Sequence, residues 1–325
     1  MKKIISLVLA CVMLASALTL VSCGNKGGKA LKFGFGVSAS ASVTDASEDG
    51  DGEAKVTSTV AAVLVDEDGK VVKAFIDCAD NSVKHTADGK AVATDSFATK
   101  YEKGESYGMV AYGGSAKEWF EQADAFCATC VGKTASEIEA LVADDYKGTE
   151  EVQSAGCTIY VSDFAKAVVA AIKDAKASEA TADSTLKIGV TTAQTATDAT
   201  EDAKGSNKVE TNYFACAVDA NGKIVAAFVD TLDITFSFDL TGKADAAGAA
   251  ETKYQKGDDY GMKSEYGSSR EWYEHAAAFN AACVGKTVSE VKDLMGADYK
   301  GTSDLQEAGC TIYVSGFVGA AAKVK

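Results

Sequence analysis

The chain carries two copies of one segment, and this duplication constrains its fold more than any other sequence feature. Trp119 recurs as Trp272, 153 positions later. At that offset, 40 of the 66 positions from Thr99 to Phe164 are identical to their partners. The segments that open the copies, 31–34 and 186–189, are offset by 155 instead, which implies a small insertion or deletion in a nearby loop. Chemistry that belongs to the shared fold must therefore use residues present in both copies.

The amino terminus predicts export and lipidation. Lys2 and Lys3 precede an apolar run from Ile4 to Val21, which is the order of a secretory signal peptide. The segment Leu-Val-Ser-Cys at 20–23 is similar to the lipobox of bacterial lipoproteins, whose cysteine is acylated. Because two acyl chains hold a protein stably on a membrane, we expect a lipidated Cys23 on the extracytoplasmic face of the bacterial cell membrane. The alternative is an ordinary or uncleaved signal peptide with an incidental thiol.

These features divide the chain into five parts. They are a signal peptide at 1–22, a lipidated tether at 23–30, a first repeat domain at 31–175, a linker at 176–184 and a second repeat domain at 185–325. Each repeat domain, with about 150 residues, is large enough to bury a core of its own.

The charge of the chain bears on its partners. The formal net charge is −15, and it becomes −17 when Lys2 and Lys3 leave with the signal peptide, since no acidic residue leaves with them. Repulsion between this acidic body and phosphate groups makes nucleic acid an unexpected partner. Composition does not specify a protein or small-molecule partner.

Each repeat begins with strands that pair antiparallel. Residues 60–65 and 71–76 are apolar runs separated by a turn that ends at Gly69. The second copy carries Asn221-Gly222 in the same turn, which is a strong signal for a tight hairpin.

Helices follow the hairpin in each repeat. Residues 115–118 match a capping box, and apolar residues recur at helical spacing from Trp119 to Cys130. Gly132 then predicts a left-handed helix end, and residues 134–137 match a second capping box. The second repeat has the same pattern at 268–271 and beyond.

The end of each repeat completes the fold class. Residues 157–161 read as a strand, and Ser162 reads as the cap of a last helix rich in Ala and Val. The sequence therefore predicts an α+β protein with two tandem homologous domains, each an antiparallel sheet packed against about three helices.

Each repeat starts with an antiparallel hairpin and ends in an Ala-Gly-Cys-Thr segment, at 155–158 and 308–311, that leads into the last helix. A lipid-anchored chain with these features resembles the FMN-binding domain family of bacterial surface lipoproteins. In that family a Ser-Gly-Ala-Thr-x-Thr motif occupies the turn before the last helix, and its last threonine can carry FMN through a phosphoester bond. The corresponding segments here are Ser-Ala-Gly-Cys-Thr-Ile-Tyr-Val-Ser at 154–162 and Glu-Ala-Gly-Cys-Thr-Ile-Tyr-Val-Ser at 307–315. Both depart from the motif, because the acceptor position holds Tyr160 or Tyr313. Noncovalent FMN is compatible with this resemblance, and covalent FMN is not expected.

The resemblance also implies a set of site residues. A phosphate would lie at the start of the last helix, and a flat ring would need an aromatic or thioether surface, which the repeated Tyr-Gly-Met segment supplies. The alternative is that this segment is only a packing turn. The implied cofactor-binding residues are Tyr107, Met109, Thr158, Tyr160 and Ser162 in the first repeat and Tyr260, Met262, Thr311, Tyr313 and Ser315 in the second.

Cysteines recur in both copies, whereas histidines do not. His85 aligns with Phe238 and His275 with Gln122, so no histidine triad or metal site common to both repeats is expected. Cysteines 130 and 157 recur as Cys283 and Cys310, and an exported chain permits disulfides. Each repeat therefore holds either one disulfide between its own pair or two buried thiols.

The sequence as a whole predicts a membrane-anchored lipoprotein that works as a non-catalytic binding or electron-carrying module. No nucleophile and base pair is present in both copies, so no catalytic residue is expected. The alternative is a surface interaction protein that has kept the scaffold and lost cofactor binding.

Overall fold

The computed structural model describes residues 28–325, and the signal peptide and Cys23 lie outside these described residues. Eight strands form two antiparallel sheets. The strands are β1 (Lys32–Val43), β2 (Gly52–Val65), β3 (Val71–His85), β4 (Ala91–Val92), β5 (Lys176–Ala177), β6 (Thr185–Thr197), β7 (Gly205–Val218) and β8 (Ile224–Phe238). The first sheet has the order β4-β3-β2-β1-β5 and the second the order β6-β7-β8.

Helices follow the third long strand of each repeat. They are α1 (Lys100–Lys103), α2 (Trp119–Cys130), α3 (Ala135–Glu139), α4 (Glu150–Ala155) and α5 (Ser162–Lys173) in the first repeat, and α6 (Lys253–Lys256), α7 (Trp272–Cys283), α8 (Ser303–Glu307) and α9 (Ser315–Ala321) in the second. Three short 3₁₀ helices, at 104–107, 257–260 and 288–294, complete the described elements. The α+β fold class is thus confirmed, although each repeat has more short helices than the sequence predicts.

The two sheets pack face to face, and the helices cover their outer faces. Alternate residues of β2 show this arrangement, because side chains on a strand point to opposite faces. Val60, Ala62 and Leu64 belong to a core shared with β6–β8, whereas Ala61 and Val63 pack against the helices of the first repeat. The helices of the second repeat cover the outer face of its own sheet in the same way. The strands are apolar on both faces because both faces are buried.

Reciprocal contacts join the two repeats. The N–H of Ala199 donates to the carbonyl of Gly89 at 2.7 Å, and the N–H of Ala46 donates to that of Gly242 at 2.9 Å. Ala199 lies 153 positions after Ala46, and Gly242 lies 153 positions after Gly89. Each repeat therefore makes the same hydrogen bond to the other repeat. His85 stacks on its own repeat partner, Phe238, with ring centroids 4.5 Å apart. The repeats therefore form one body with approximate two-fold symmetry.

Several sequence predictions need correction. Residues 157–161 are not a strand, since only Tyr160 pairs, in a single bridge to Lys147. The first capping box is formed by Glu118 and Glu121 rather than by residues 115–118. Ser162 and Ser315 are the first residues of their helices, and the N-caps are Val161 and Val314.

Other predicted caps are confirmed. Thr134 and Thr287 form capping boxes with the glutamate three residues later. Gly132 and Gly285 have φ values of 80° and 82°, as the predicted left-handed helix ends require.

The linker at 176–184 is part of the folded body. Residues 176–177 form β5 and pair with β1, and Ala180 is buried in the shared core. Within residues 28–325, no helix is long and apolar enough to cross a membrane.

Candidate functional site

One cleft of the second repeat contains most of the residues that the family resemblance implies there. The cleft has a volume of about 610 Å³. Tyr260, Met262, Tyr313 and Ser315 all line it, whereas Thr311 does not. The full lining, called here the second-repeat cleft, is Glu210, Asn212, Thr231, Lys253, Tyr260, Met262, Tyr266, Trp272, Ile312, Tyr313, Ser315, Gly316 and Phe317.

The Tyr260 wall is held to the sheet by a buried carboxylate. Asp230 on β8 is almost fully buried and accepts hydrogen bonds from the backbone N–H of Thr231 at 2.7 Å and of Tyr254 at 3.1 Å. Tyr254 lies in α6, whose N-cap, Thr252, forms a capping box with Gln255. The 3₁₀ helix that follows α6 ends at Tyr260. Burial raises the pKa of Asp230 to about 7.

A second carboxylate positions Met262. Glu271, the N-cap of α7, is buried and accepts the backbone N–H of Met262 at 2.9 Å and of Lys263 at 3.2 Å. It therefore ties the loop that carries the thioether to the start of the helix that carries Trp272. The first repeat has the same arrangement, with Glu118 accepting from Met109 and from the next residue.

The opposite wall is the turn that leads into α9. Tyr313 forms a bridge to Lys300, and the Lys300 ammonium lies 5.5 Å from the centre of the Tyr313 ring. Val314 donates its N–H to the carbonyl of Tyr299, which has a φ of 64°. Among described residues other than glycine, only Tyr299 and its counterpart Tyr146 have positive φ. A tyrosine is strained in this conformation, so the surrounding hydrogen bonds must hold the turn.

The floor of the cleft is a polar network that sequence reasoning missed. The Thr231 hydroxyl donates to the Asn212 amide oxygen at 2.8 Å, and the Asn212 amide nitrogen donates to the Glu210 carboxylate at 3.2 Å. Thr231 and Asn212 are buried and face each other across β7 and β8. The only sequence signal is a polar stretch, Lys-Val-Glu-Thr-Asn at 208–212, directly before an apolar strand segment.

The cleft also contains a lysine of restricted exposure. The Lys253 ammonium lies 5.3 Å from the centre of the Tyr260 ring and 4.0 Å from the Asp233 carboxylate. Asp233 is held more closely by Lys208, at 2.9 Å. Lys253 is thus only weakly paired and can donate hydrogen bonds to a ligand in the cleft.

The first repeat keeps most wall residues of the cleft but lacks its polar floor and the Tyr266 ring, which Gly113 replaces. Tyr107 lies under the ammonium groups of Lys100 and Lys103, at 5.2 and 5.8 Å, and Met109 packs against the repeat core. Tyr160 is mostly exposed, with Lys147 at 6.0 Å from its ring centre.

The start of α5 is already occupied by a negative charge. Ser162 is followed by Asp163, whose carboxylate accepts from the Ser38 hydroxyl at 3.0 Å and pairs with Lys166 at 3.2 Å. This carboxylate would repel a phosphate at Ser162, where the resemblance implies one.

The two threonines of the motif have a structural partner each. Thr158 donates its N–H and its hydroxyl to the Gln122 side chain, at 2.9 and 3.1 Å. In the second repeat His275 takes the position of Gln122, and its Nδ1 lies 2.7 Å from the Gly309 carbonyl and 3.3 Å from the backbone nitrogen of Thr311. Thr158 and Thr311 therefore connect the turn to α2 and α7.

The cysteine pairs are free thiols in the structure. Cys130, Cys157, Cys283 and Cys310 are all buried, and none of them forms a disulfide in the structure. Burial raises the pKa of Cys157 and of Cys310 to about 11, and that of Cys130 to about 12. Among residues 28–325, no three His, Cys, Asp or Glu side chains are grouped in a way that could hold a metal ion.

No protein-family model, no curated protein and no solved structure matches the chain.

Proposed function

We propose that the protein is a lipid-anchored, extracytoplasmic binding module that holds a flat heterocyclic ligand in the second-repeat cleft, with noncovalent FMN as the first ligand to test. The observation that carries the proposal is the convergence of Tyr260, Met262 and Tyr313 above a hydrogen-bonded polar floor. The lipid anchor is supported by the sequence at 20–23.

The size and walls of the cleft suit such a ligand. Small-molecule sites have volumes of roughly 300–1,000 Å³, with apolar and aromatic walls and a few polar groups that fix orientation. The second-repeat cleft, at about 610 Å³, lies within this range. Aromatic rings and a thioether give favourable contacts to the faces of a flat ring.

The floor suits the polar edge of a heterocycle. The Glu210 carboxylate only accepts hydrogen bonds, and Asn212 keeps one amide N–H beyond the bond it gives to Glu210. Together they offer an acceptor and a donor side by side, which complements a ring edge where an N–H stands next to a carbonyl. Lys253 in the cleft lining and Lys300 beside the Tyr313 ring are cations that a phosphate could approach. The redox chemistry of an electron carrier would be that of the bound flavin itself.

Covalent attachment is not part of the proposal. The position that carries FMN in the family resembled here holds Tyr313, whose ring is about two-thirds exposed beside Lys300. A phenol hydroxyl lies farther from the backbone than that of threonine, so an FMN attached there could not keep the same phosphate contacts. We expect no flavin band after denaturing electrophoresis.

A scaffold-only protein is the second candidate function. The observation that favours it is the first repeat, which keeps Tyr107 and Tyr160 while Thr57, Thr59 and Cys78 replace the polar floor and Gly113 replaces Tyr266. A chain that tolerates this loss in one repeat could have lost binding in both.

Fluorescence titration separates the two candidates. The test uses the chain from Gly24 onward, which contains every described element, and follows quenching of FMN fluorescence. We expect saturable quenching that Tyr313→Ala weakens, with Tyr112→Ala as control because Tyr112 is also exposed and lies outside the cleft. If no saturable quenching is seen up to about millimolar protein, where binding amounts to about 4 kcal/mol, the chain does not bind FMN and the scaffold-only function is favoured.

A further inference from the structure

The two repeats differ in a systematic way around the cleft. Eight of the thirteen residues that line the cleft are identical to the residues 153 positions earlier. They are Lys253, Tyr260, Met262, Trp272, Ile312, Tyr313, Ser315 and Phe317. The other five differ: Thr57 stands for Glu210, Thr59 for Asn212, Cys78 for Thr231, Gly113 for Tyr266 and Asp163 for Gly316. Most wall residues are thus the same in both repeats, although Gly113 leaves the first repeat without the Tyr266 ring, whereas the polar floor and the helix residue above it are replaced.

One pair of these positions is coupled by packing. A Cβ atom on Gly316 would lie 2.5 Å from both the Cγ and the Nδ2 atom of Asn212. Real Cβ contacts are not that short, so Asn212 can occupy the floor only because residue 316 has no side chain. The first repeat has the smaller Thr59 on the strand and a full side chain, Asp163, on the helix.

The differences between the repeats at these positions change the polar groups that face the cleft. In the second repeat the amide of Asn212 is oriented by Thr231 and Glu210, at 2.8 and 3.2 Å. In the first repeat Thr57 donates instead to Asp80 at 2.9 Å, and Asp163 brings a carboxylate to the start of α5. The first repeat therefore lacks the donor and acceptor edge and presents a negative charge in its place.

We infer that the chain binds one ligand rather than two, and that the Asn212–Gly316 pair is required for binding in the second repeat. This inference rests on the proposed function and specifies it. The first repeat supports the fold through the shared core, and only the second repeat recognises the heterocycle.

The test is a count of FMN molecules per chain together with a paired exchange. Native mass spectrometry and isothermal titration calorimetry give the stoichiometry of the wild-type chain. The variant Asn212→Thr with Gly316→Asp installs the pair of the first repeat, which that repeat shows can be accommodated on this scaffold. The matched control, Thr59→Asn with Asp163→Gly, makes the reverse exchange in the first repeat. Circular dichroism melting confirms that both variants fold.

We expect one FMN per wild-type chain, a loss of affinity of about tenfold or more in the Asn212/Gly316 variant, and an unchanged Kd in the control. Two FMN molecules per wild-type chain, or an equal loss of affinity in both variants, would overturn the inference while leaving the proposed function in place. No FMN binding to the wild-type chain would instead overturn the proposed function and the inference with it.

Discussion

Two buried aspartates, Asp77 and Asp230, occupy equivalent positions in the two repeats and do equivalent work. Each accepts the backbone N–H of the next residue and of a tyrosine at the start of α1 or α6. Burial raises the pKa of Asp77 to about 6 and that of Asp230 to about 7. The hydrogen bonds and, at Asp230, Lys253 oppose this shift but do not cancel it.

Asp230 should make the protein less stable as pH rises from about 4 to about 7. In that window the folded state binds the Asp230 proton more tightly than the unfolded chain does, so the free energy of unfolding falls by about 1.4 kcal/mol per unit of pKa difference. Asp230→Asn keeps an oxygen acceptor for both N–H groups and removes the titration. Urea unfolding of both proteins between pH 4.5 and 7.5 measures the difference.

The wild-type chain should lose stability relative to Asp230→Asn as pH rises through this range. His275, whose pKa burial lowers, gives a slope of opposite sign, but it is present in both proteins and cancels in the comparison. A difference that stays constant with pH would contradict the role assigned to Asp230.

The buried thiols should be unreactive in the folded state. The thiolate is the reactive form, and burial raises the pKa of Cys78 to about 11 and that of Cys216 to about 12. We expect a thiol reagent at pH 8 to label none of the seven described cysteines until the chain unfolds, and then all of them without a reductant. Mass spectrometry counts the labels. A pair at Cys130 and Cys157, or at Cys283 and Cys310, that stays unlabelled until reduction would show a disulfide.

At the scale of elements, the N-caps of α2 and α7 link helix formation to the cleft. Glu271 caps its helix and also holds the Met262 loop, and Glu118 does the same for Met109. Removing either carboxylate leaves buried N–H groups without partners, which typically costs about 1–3 kcal/mol. The two caps therefore offer a matched pair of variants.

Glu271→Ala and Glu118→Ala should destabilise the protein to a similar extent, by about 2 kcal/mol. Only Glu271→Ala should weaken FMN binding, because only its loop lines the second-repeat cleft. Chemical denaturation and FMN titration of both variants provide the two readouts. Equal loss of affinity in the two variants would place the ligand elsewhere.

The elements that could be predicted from sequence are those with strong local patterns. The hairpins were predictable from Asn221-Gly222 and the flanking apolar runs, and the long helices from the spacing that begins at Trp119. The strand predicted at 157–161 is absent, because residues with high strand propensity form no strand without a pairing partner and only Tyr160 pairs, in one bridge. The capping box predicted at 115–118 is wrong by three residues, because Glu118 itself is the N-cap and Glu121 completes the box.

The site was only half predictable. Tyr260, Met262, Tyr313 and Ser315 were accessible because they recur in both repeats. The floor residues were not, since Glu210, Asn212 and Thr231 differ from their counterparts in the first repeat and so belong to no repeated pattern. Their placement follows from strand register, which brings Asn212 opposite Thr231 only after the sheet forms.

In the whole molecule, the two repeats form one folded body rather than two independently folded domains. The inner faces of both sheets form a single apolar core. Even the polar group of Tyr213 is satisfied across it, by a 2.8 Å hydrogen bond to Ser58 in the other repeat. Unfolding either repeat alone would expose the core face of the other, so we expect the two repeats to unfold together.

The predicted anchor is tested on the whole protein. Cys23→Ala removes the cysteine that the lipobox-like segment predicts to be acylated, so the chain should leave the membrane fraction or keep its signal peptide uncut. Fractionation of bacteria that express wild-type and variant chains, with immunoblotting, measures both effects. Unchanged fractionation and processing would remove lipidation from the proposal.

Differential scanning calorimetry with and without FMN reports in one experiment on whether the two repeats unfold together and on whether the folded chain binds FMN. A ligand that binds only the folded state at about 100 times its Kd adds about 2.7 kcal/mol of stability. We expect a single transition whose midpoint rises by several degrees when FMN is present, because the second-repeat cleft is part of one cooperative body. Two separate transitions, or a single one that FMN leaves in place, would contradict the account.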